Sequence, residues 1–148
     1  MAKAEARAAG YSGTPLLKKL GFGPDQTAAL IDVPKTLRSH LAAAKFKSLA
    51  EASIEVCAAL KSPLDAIHVF AVERVKLKRA LPQLMKRLAP AGMIWVSWPK
   101  KAAKVETDIT EDVIRAEALP LGLVDVKVCA VDETWSGLKL VIRKELRG

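Results

Sequence analysis

The chain is poor in the residues that carry most enzyme chemistry. It has two cysteines and two histidines in 148 residues. Cys57 and Cys129 form no CxxC pair and have no histidine at ligand spacing, which argues against a zinc site. Unpaired thiols fit a cytoplasmic protein. Cys129 alternates with Val126, Val128 and Val131, so a buried strand thiol is expected. His68 lies inside the apolar run Ile67 to Ala71 and reads as a hydrogen-bonded core imidazole rather than a ligand.

Other absences narrow the function classes. No apolar run approaches the roughly 20 residues of a transmembrane helix, so no membrane partner is expected. Met1 to Gly10 is Ala-rich and charged and has no apolar h-region, which reads as a flexible start rather than a secretory signal. Residues 11–148 are then expected to form a single α/β domain. Aromatic residues are only 5% of the chain, and no helix-turn-helix, zinc-finger or RNP pattern occurs. That argues against sequence-specific nucleic-acid reading. The net charge of +8 permits weak, salt-sensitive attraction to nucleic acid and no more. Its distribution is uneven: residues 1–50 carry +5, residues 51–100 carry +4 and residues 101–148 carry −1.

What is present is an alternating α/β pattern. Thr14-Pro15 suits a helix start, and Leu16, Leu17 and Leu20 give a short apolar face closed by Gly21 and Gly23. Thr27 to Ile31 reads as the first strand, and Leu37, Leu41 and Ala44 space a helix over about 35–45. An irregular strand is expected near Lys47 to Ala50 and a helix near Ser53 to Leu60. Ala66 to Val72 is apolar on both faces, as parallel sheets require. Leu77, Leu81, Leu84 and Leu88 make a helical stripe, with Lys76, Lys78, Arg79, Lys86 and Arg87 expected on a solvated face. Pro90 and Gly92 close that helix and launch Met93 to Val96. Thr110 caps a helix with Glu111 and Asp112 in its first turn. Val124 to Val131 and Leu138 to Ile142 form a terminal hairpin around Asp132 to Gly137. The pattern predicts a three-layer, Rossmann-type α/β domain. Its mainly parallel sheet has about six strands and a C-terminal antiparallel hairpin.

Such a fold binds a dinucleotide or an S-adenosyl cofactor through a glycine-rich turn after the first strand. Here that turn is Asp32-Val33-Pro34-Lys35. Proline removes an amide donor where glycine would let the backbone approach a ligand. Glu51 and Glu55 are poor candidates for a ribose-holding acid, and no cofactor is expected. Candidate ligand-binding residues sit at the turns instead: Tyr11, Ser12 and Thr14; Ser97, Trp98, Lys100 and Lys101; Asp132, Glu133, Trp135 and Ser136. The lysines could hold a phosphate or carboxylate and Trp98 could stack on a ring. Asp132 or Glu133 beside them could act as a base or form surface ion pairs. No nucleophile elbow or Ser/His/Asp spacing occurs.

The leading expectation is a non-enzymatic binding or regulatory protein with a protein partner or a small anionic ligand. An atypical enzyme or nucleotide-like ligand binder comes second, and a weak nucleic-acid binder third. An apolar edge strand could support a homodimer.

The segments Tyr11 to Leu16, Trp95 to Lys101, Thr107 to Thr110 and Gly122 to Leu138 resemble a bacterial domain-of-unknown-function family over most of residues 11–143. That resemblance implies no particular activity. The order of elements also resembles the second half of class I S-adenosylmethionine-dependent methyltransferases, with Ala89 to Ile94 at the position of their Pro/Gly turn. It implies a methyltransferase-like scaffold, and the cofactor loop is where this sequence departs from the pattern.

Overall fold

The computed structural model describes residues 14–147, with Thr14 described in its backbone alone. The expected flexible start at 1–10, the candidates Tyr11 and Ser12, and the side chain of Thr14 lie outside the described residues. The chain runs α1 (Thr14–Leu20), β1 (Thr27–Ile31), α2 (Lys35–Ala42), β2 (Ser48–Ala52), β3 (Leu64–Phe70), α3 (Arg74–Arg87), β4 (Leu88–Pro99), α4 (Glu111–Ala118), β5 (Leu123–Ala130) and β6 (Trp135–Ile142). All six strands form one sheet in the order β2-β1-β3-β4-β6-β5. The pairs β1/β2, β1/β3 and β3/β4 are parallel, while β6 runs antiparallel to both β4 and β5. The expected α/β architecture with an antiparallel terminal hairpin is therefore observed. The strand order reverses between β1 and β3: the chain leaves β1 for β2 on one side and returns to β3 on the other.

Two apolar layers sandwich the sheet. On one face Ala29, Ile31, Ile67, Val69, Ile94, Val96, Leu138 and Leu140 meet α3 and α4. Helix α3 places Leu77, Ala80, Leu81 and Leu84 there, each almost fully buried. Burying one leucine side chain is worth about 1.5–3 kcal/mol. On the other face Leu30, Ala66, Phe70 and Trp95 meet Leu16 and Leu20 of α1 and Leu37 and Leu41 of α2. Trp95 is fully buried and its indole N–H donates to the Leu20 carbonyl at 2.8 Å, tying the end of α1 to the central strand. Gly21 ends α1 with φ +75°, a left-handed position where glycine is unstrained. Thr110 caps α4 as expected, its hydroxyl accepting from the Val113 amide at 3.2 Å.

Several local expectations are corrected. The segment after β2 is a 3-10 turn, Ile54–Ala59, broken by Val56 at φ −119°, rather than a helix over 53–60. Leu88 does not extend the α3 stripe: its backbone is already extended, and β4 starts there. Pro90 and Gly92 therefore lie inside β4. They fall where its register with β3 jumps, from Leu64↔Leu88 to Ala66↔Met93, so the proline breaks no ladder bond. Cys129 is half-buried rather than buried, and Val126 and Val128 are exposed, because β5 is an edge strand with a register shift between Asp125 and Lys127. Lys78, Arg79 and Lys86 are exposed as expected, whereas Lys76 and Arg87 are partly covered, Lys76 in ion pairs with Glu55 and Glu73 and Arg87 bonded to the Leu60 and Gln83 carbonyls. Among the described residues no helix is long and apolar enough to cross a membrane.

Candidate functional site

A crevice of about 210 Å³ opens where the strand order reverses, at the carboxyl ends of β1 and β3. Open α/β sheets bind ligands in this place, because the connections diverge to opposite faces and leave a gap between them. The wall from β1 is Asp32, the residue after the strand; the wall from β3 is Phe70, Ala71, Val72 and Glu73. Ile54 comes from the 3-10 turn, Lys76 from the first turns of α3, and Trp135 from the start of β6. Trp135 reaches the crevice because β6 is antiparallel, so its beginning sits beside the ends of its neighbours. Phe70 and Trp135 meet edge to face, with ring centroids 5.2 Å apart at 88°. Ser97 pairs with Phe70 on one side and with Gly137 on the other. Gly137 fits closely there: a Cβ on it would lie 3.1 Å from Trp95 and 3.2 Å from the Ser97 hydroxyl, so a neighbour would have to give way slightly.

The charges of the crevice are unevenly matched. The Lys76 ammonium bonds Glu55 at 2.8 Å and Glu73 at 3.2 Å, and these two partners hold it firmly protonated. The first amide of α3 is bonded from outside, the Arg74 N–H donating to the Asp108 carboxylate at 2.7 Å. Asp32 has no ion-pair partner among the described residues. Partial burial raises its carboxyl above the ordinary carboxylate value; Glu55 adds to the rise, while a hydrogen bond from the Ile54 amide and the charge of Lys76 oppose it. Its backbone is left-handed at φ +53°, a conformation that aspartate tolerates better than most residues but that glycine adopts freely. The Asp32 amide donates to the Ala52 carbonyl at 3.0 Å, which holds this turn against the end of β2.

Beneath the crevice lies His68, fully buried on β3. Its ring stacks on Phe70 at 4.2 Å and its Nε2 lies 2.7 Å from the Ser97 hydroxyl. Its Nδ1 has no hydrogen-bond partner among the described residues. Burial pushes the imidazole down to about 3, so it is neutral at any physiological pH. The expected core imidazole is present, and Ser97, a candidate ligand residue, is its buried partner rather than a surface group.

The other candidates fall in two places. The Lys100 amide donates to the Thr134 carbonyl at 2.8 Å, so the two turns do lie side by side. Lys101 and Glu133 are exposed. The Asp132 carboxylate accepts from the Thr134 and Trp135 amides at 2.8 and 2.7 Å, which folds the turn and occupies one of its oxygens. Trp98 packs against the α3/α4 layer while Trp135 packs against the α1/α2 layer, so the two indoles occupy opposite faces of the sheet. Ser136 pairs with Trp98 in the ladder. Of the candidates among the described residues, Trp135 alone lines the crevice. Sequence reading missed Asp32, Phe70, Glu73 and Lys76; the usable signal was that Asp32 and Phe70–Glu73 each follow an apolar strand at its carboxyl end.

A second groove, of about 400 Å³, lies between the 3-10 turn and α3 and is lined by Glu55, Cys57, Ala58, Arg79, Ala80 and Gln83. Ile54 and Lys76 line both cavities and stand between them. The Cys57 thiol is nearly buried, and burial raises it above its ordinary value. The chain's Gly-x-Gly, Gly21-Phe22-Gly23, precedes β1 at the amino end of the sheet, away from the crevice.

The sequence matches no protein-family model and no curated protein. Solved structures match it well in fold. A magnesium protoporphyrin IX methyltransferase from Synechocystis, solved with bound SAM, superposes with a TM-score of 0.63 at 14% identity, over 88% of this chain and 76% of that one. The CcbJ methyltransferase from Streptomyces caelestis superposes with a TM-score of 0.62 at 8% identity, over 88% and 89% of the two chains. The tRNA methyltransferase TrmK from B. subtilis gives 0.59 at 12% identity, over 93% and 68%. The chain therefore has a methyltransferase-like, Rossmann-type fold.

Proposed function

We propose that this chain is a non-enzymatic binding protein that holds a small ligand in the crevice between β1 and β3. The observation that carries the reading is an aromatic-walled cavity at the reversal of strand order, entered from β1 by Asp32-Val33-Pro34-Lys35 instead of a glycine turn. Pro34 precedes α2 and offers no amide to a ligand. At about 210 Å³ the cavity falls below the roughly 300–1,000 Å³ of pockets for drug-sized ligands. The titratable groups around it favour binding over reaction. Lys76 is held by two carboxylates, and the His68–Ser97 pair is sealed beneath the floor.

A second reading is binding of an S-adenosyl compound, favoured by the position of the crevice and by neighbours solved with SAM or SAH. Calorimetry separates the two. S-adenosylmethionine and S-adenosylhomocysteine are titrated into ligand-stripped protein. In parallel, a small-metabolite library is screened by the indole N–H signal of Trp135. Silent titrations with library compounds that move Trp135 support the first reading. Saturable heat that disappears in Trp135→Ala supports the second. A Trp135 signal unmoved by every compound overturns both.

A further inference from the structure

We propose that the crevice selects a compact organic cation, an ammonium or sulfonium carrying a few carbons, with its charge on Asp32 and its apolar part on the Trp135 ring. The proposal rests on the crevice being a ligand site and adds the class of ligand. Three observations carry it. First, each positive element of the crevice already has a protein carboxylate: Lys76 has Glu55 and Glu73, and the first amide of α3 has Asp108. An anionic ligand would have to displace one of them. Asp32 makes no ion pair among the described residues; Lys76 acts on it across the crevice but is bonded to Glu55 and Glu73, so a positive ligand is what would pair with it directly. Second, Asp32 sits at φ +53° at the very end of β1. This left-handed position, which aspartate tolerates, leaves the residue on the crevice wall. Third, Trp135 lines the same small cavity as Asp32, and Phe70 meets its indole edge to face. An aromatic face beside a carboxylate is the arrangement that holds alkylated ammonium and sulfonium groups, because the ring attracts the diffuse charge and the carbons leave water.

The test uses the full chain labelled with nitrogen-15. Its three tryptophans give three indole signals, and Trp135→Phe assigns the one at the crevice. Choline, tetramethylammonium and trimethylsulfonium are titrated alongside 3,3-dimethylbutan-1-ol, the neutral carbon counterpart of choline, and alongside acetate and inorganic phosphate. The expected result is a saturable shift of Trp135 with the cations and little with the neutral alcohol. Asp32→Asn should weaken the cation response about tenfold or more. Asparagine tolerates the left-handed backbone, so that variant keeps the fold, and the unmoved Trp95 signal checks it. An alcohol that shifts Trp135 as strongly as choline, a response unchanged in Asp32→Asn, or a response to the anions alone overturns the cation assignment and leaves a ligand site standing. Silence from every probe, when library compounds do move Trp135, also overturns only the cation assignment. Silence in both experiments overturns the ligand site as well.

Discussion

Acidification should unfold this protein through His68. The imidazole is fully buried, stacked on Phe70, and its Nδ1 has no partner among the described residues that could share a second proton. Burial takes it from an ordinary 6.5 to about 3 in the folded state. A histidine depressed by folding is charged more readily when unfolded. Its neutral form therefore supports the native state fully above about pH 7.5, and that support drains away as pH falls through 6.5 towards 3. Linkage sets the size: at pH 5 the loss is about 2 kcal/mol, and by pH 3 it approaches about 5 kcal/mol. The comparison that isolates His68 is the double variant His68→Phe with Ser97→Ala, which removes both partners of the buried bond together. Urea unfolding of both proteins at pH 7.5 and at pH 5 should show the parent losing about 2 kcal/mol more than the variant. That is a midpoint difference of about 1 M for an ordinary urea slope. A parallel loss in the two proteins would refute the reasoning, because it would mean that His68 protonates in the folded state without cost.

Further outcomes follow from single contacts. Thr110→Ala removes the cap on the Val113 amide and should cost about 1 kcal/mol by urea denaturation; an unchanged midpoint would mean water caps the helix equally well. Gly137→Ala should cost about 1–3 kcal/mol, since its Cβ would press on Trp95, which cannot retreat while bonded to Leu20; a variant as stable as the parent would show that the central strand repacks freely. Asp32→Asn should leave the unfolding free energy within about 0.5 kcal/mol of the parent, making any binding defect a direct one; a larger loss would place Asp32 in the folding of the turn.

Much of the fold was legible because local chemistry and global packing agree. Ala66 to Phe70 and Met93 to Val96 are apolar on both faces and become the central strands. Thr110 and the leucines of α3 act as their spacing implies. The failures share a cause: a second element decides what the local pattern leaves open. Leu88 fits the stripe of α3, but Arg87 turns back to hold the Leu60 carbonyl at 2.9 Å and the Gln83 carbonyl at 2.9 Å, and the chain leaves the helix there. Pro90 two residues later also pushes Ala89 away from helical backbone. Cys129 reads as buried by alternation with its valine neighbours, yet it lies on an edge strand and is only half-buried.

The crevice was harder to read because its parts are ordinary one by one. Lys76 belongs to a run of basic residues on a helix, Phe70 closes a core strand, and Trp135 opens a hairpin strand more than a hundred residues after Asp32. What makes them a site is the sheet order, which brings the ends of β1 and β3 side by side and turns β6 back towards them. The same order explains how the scaffold can form a crevice without a glycine turn. The gap between diverging connections is set by topology, whereas the chemistry at its edge is set by the residues that follow β1. With glycine there, backbone amides would make the edge a donor suited to anions. With Asp32 turned at φ +53° and Pro34 behind it, the edge is a carboxylate with no amide from the proline, and its preference inverts towards positive charge. Restoring glycine at position 34 therefore returns an amide but leaves Asp32 in place. By this reasoning Pro34→Gly alone should leave the cation response of Trp135 within about twofold, whereas Asp32→Asn should abolish most of it. The reverse ranking in the same titration would mean that the backbone of the turn, and not its carboxylate, determines what the crevice holds.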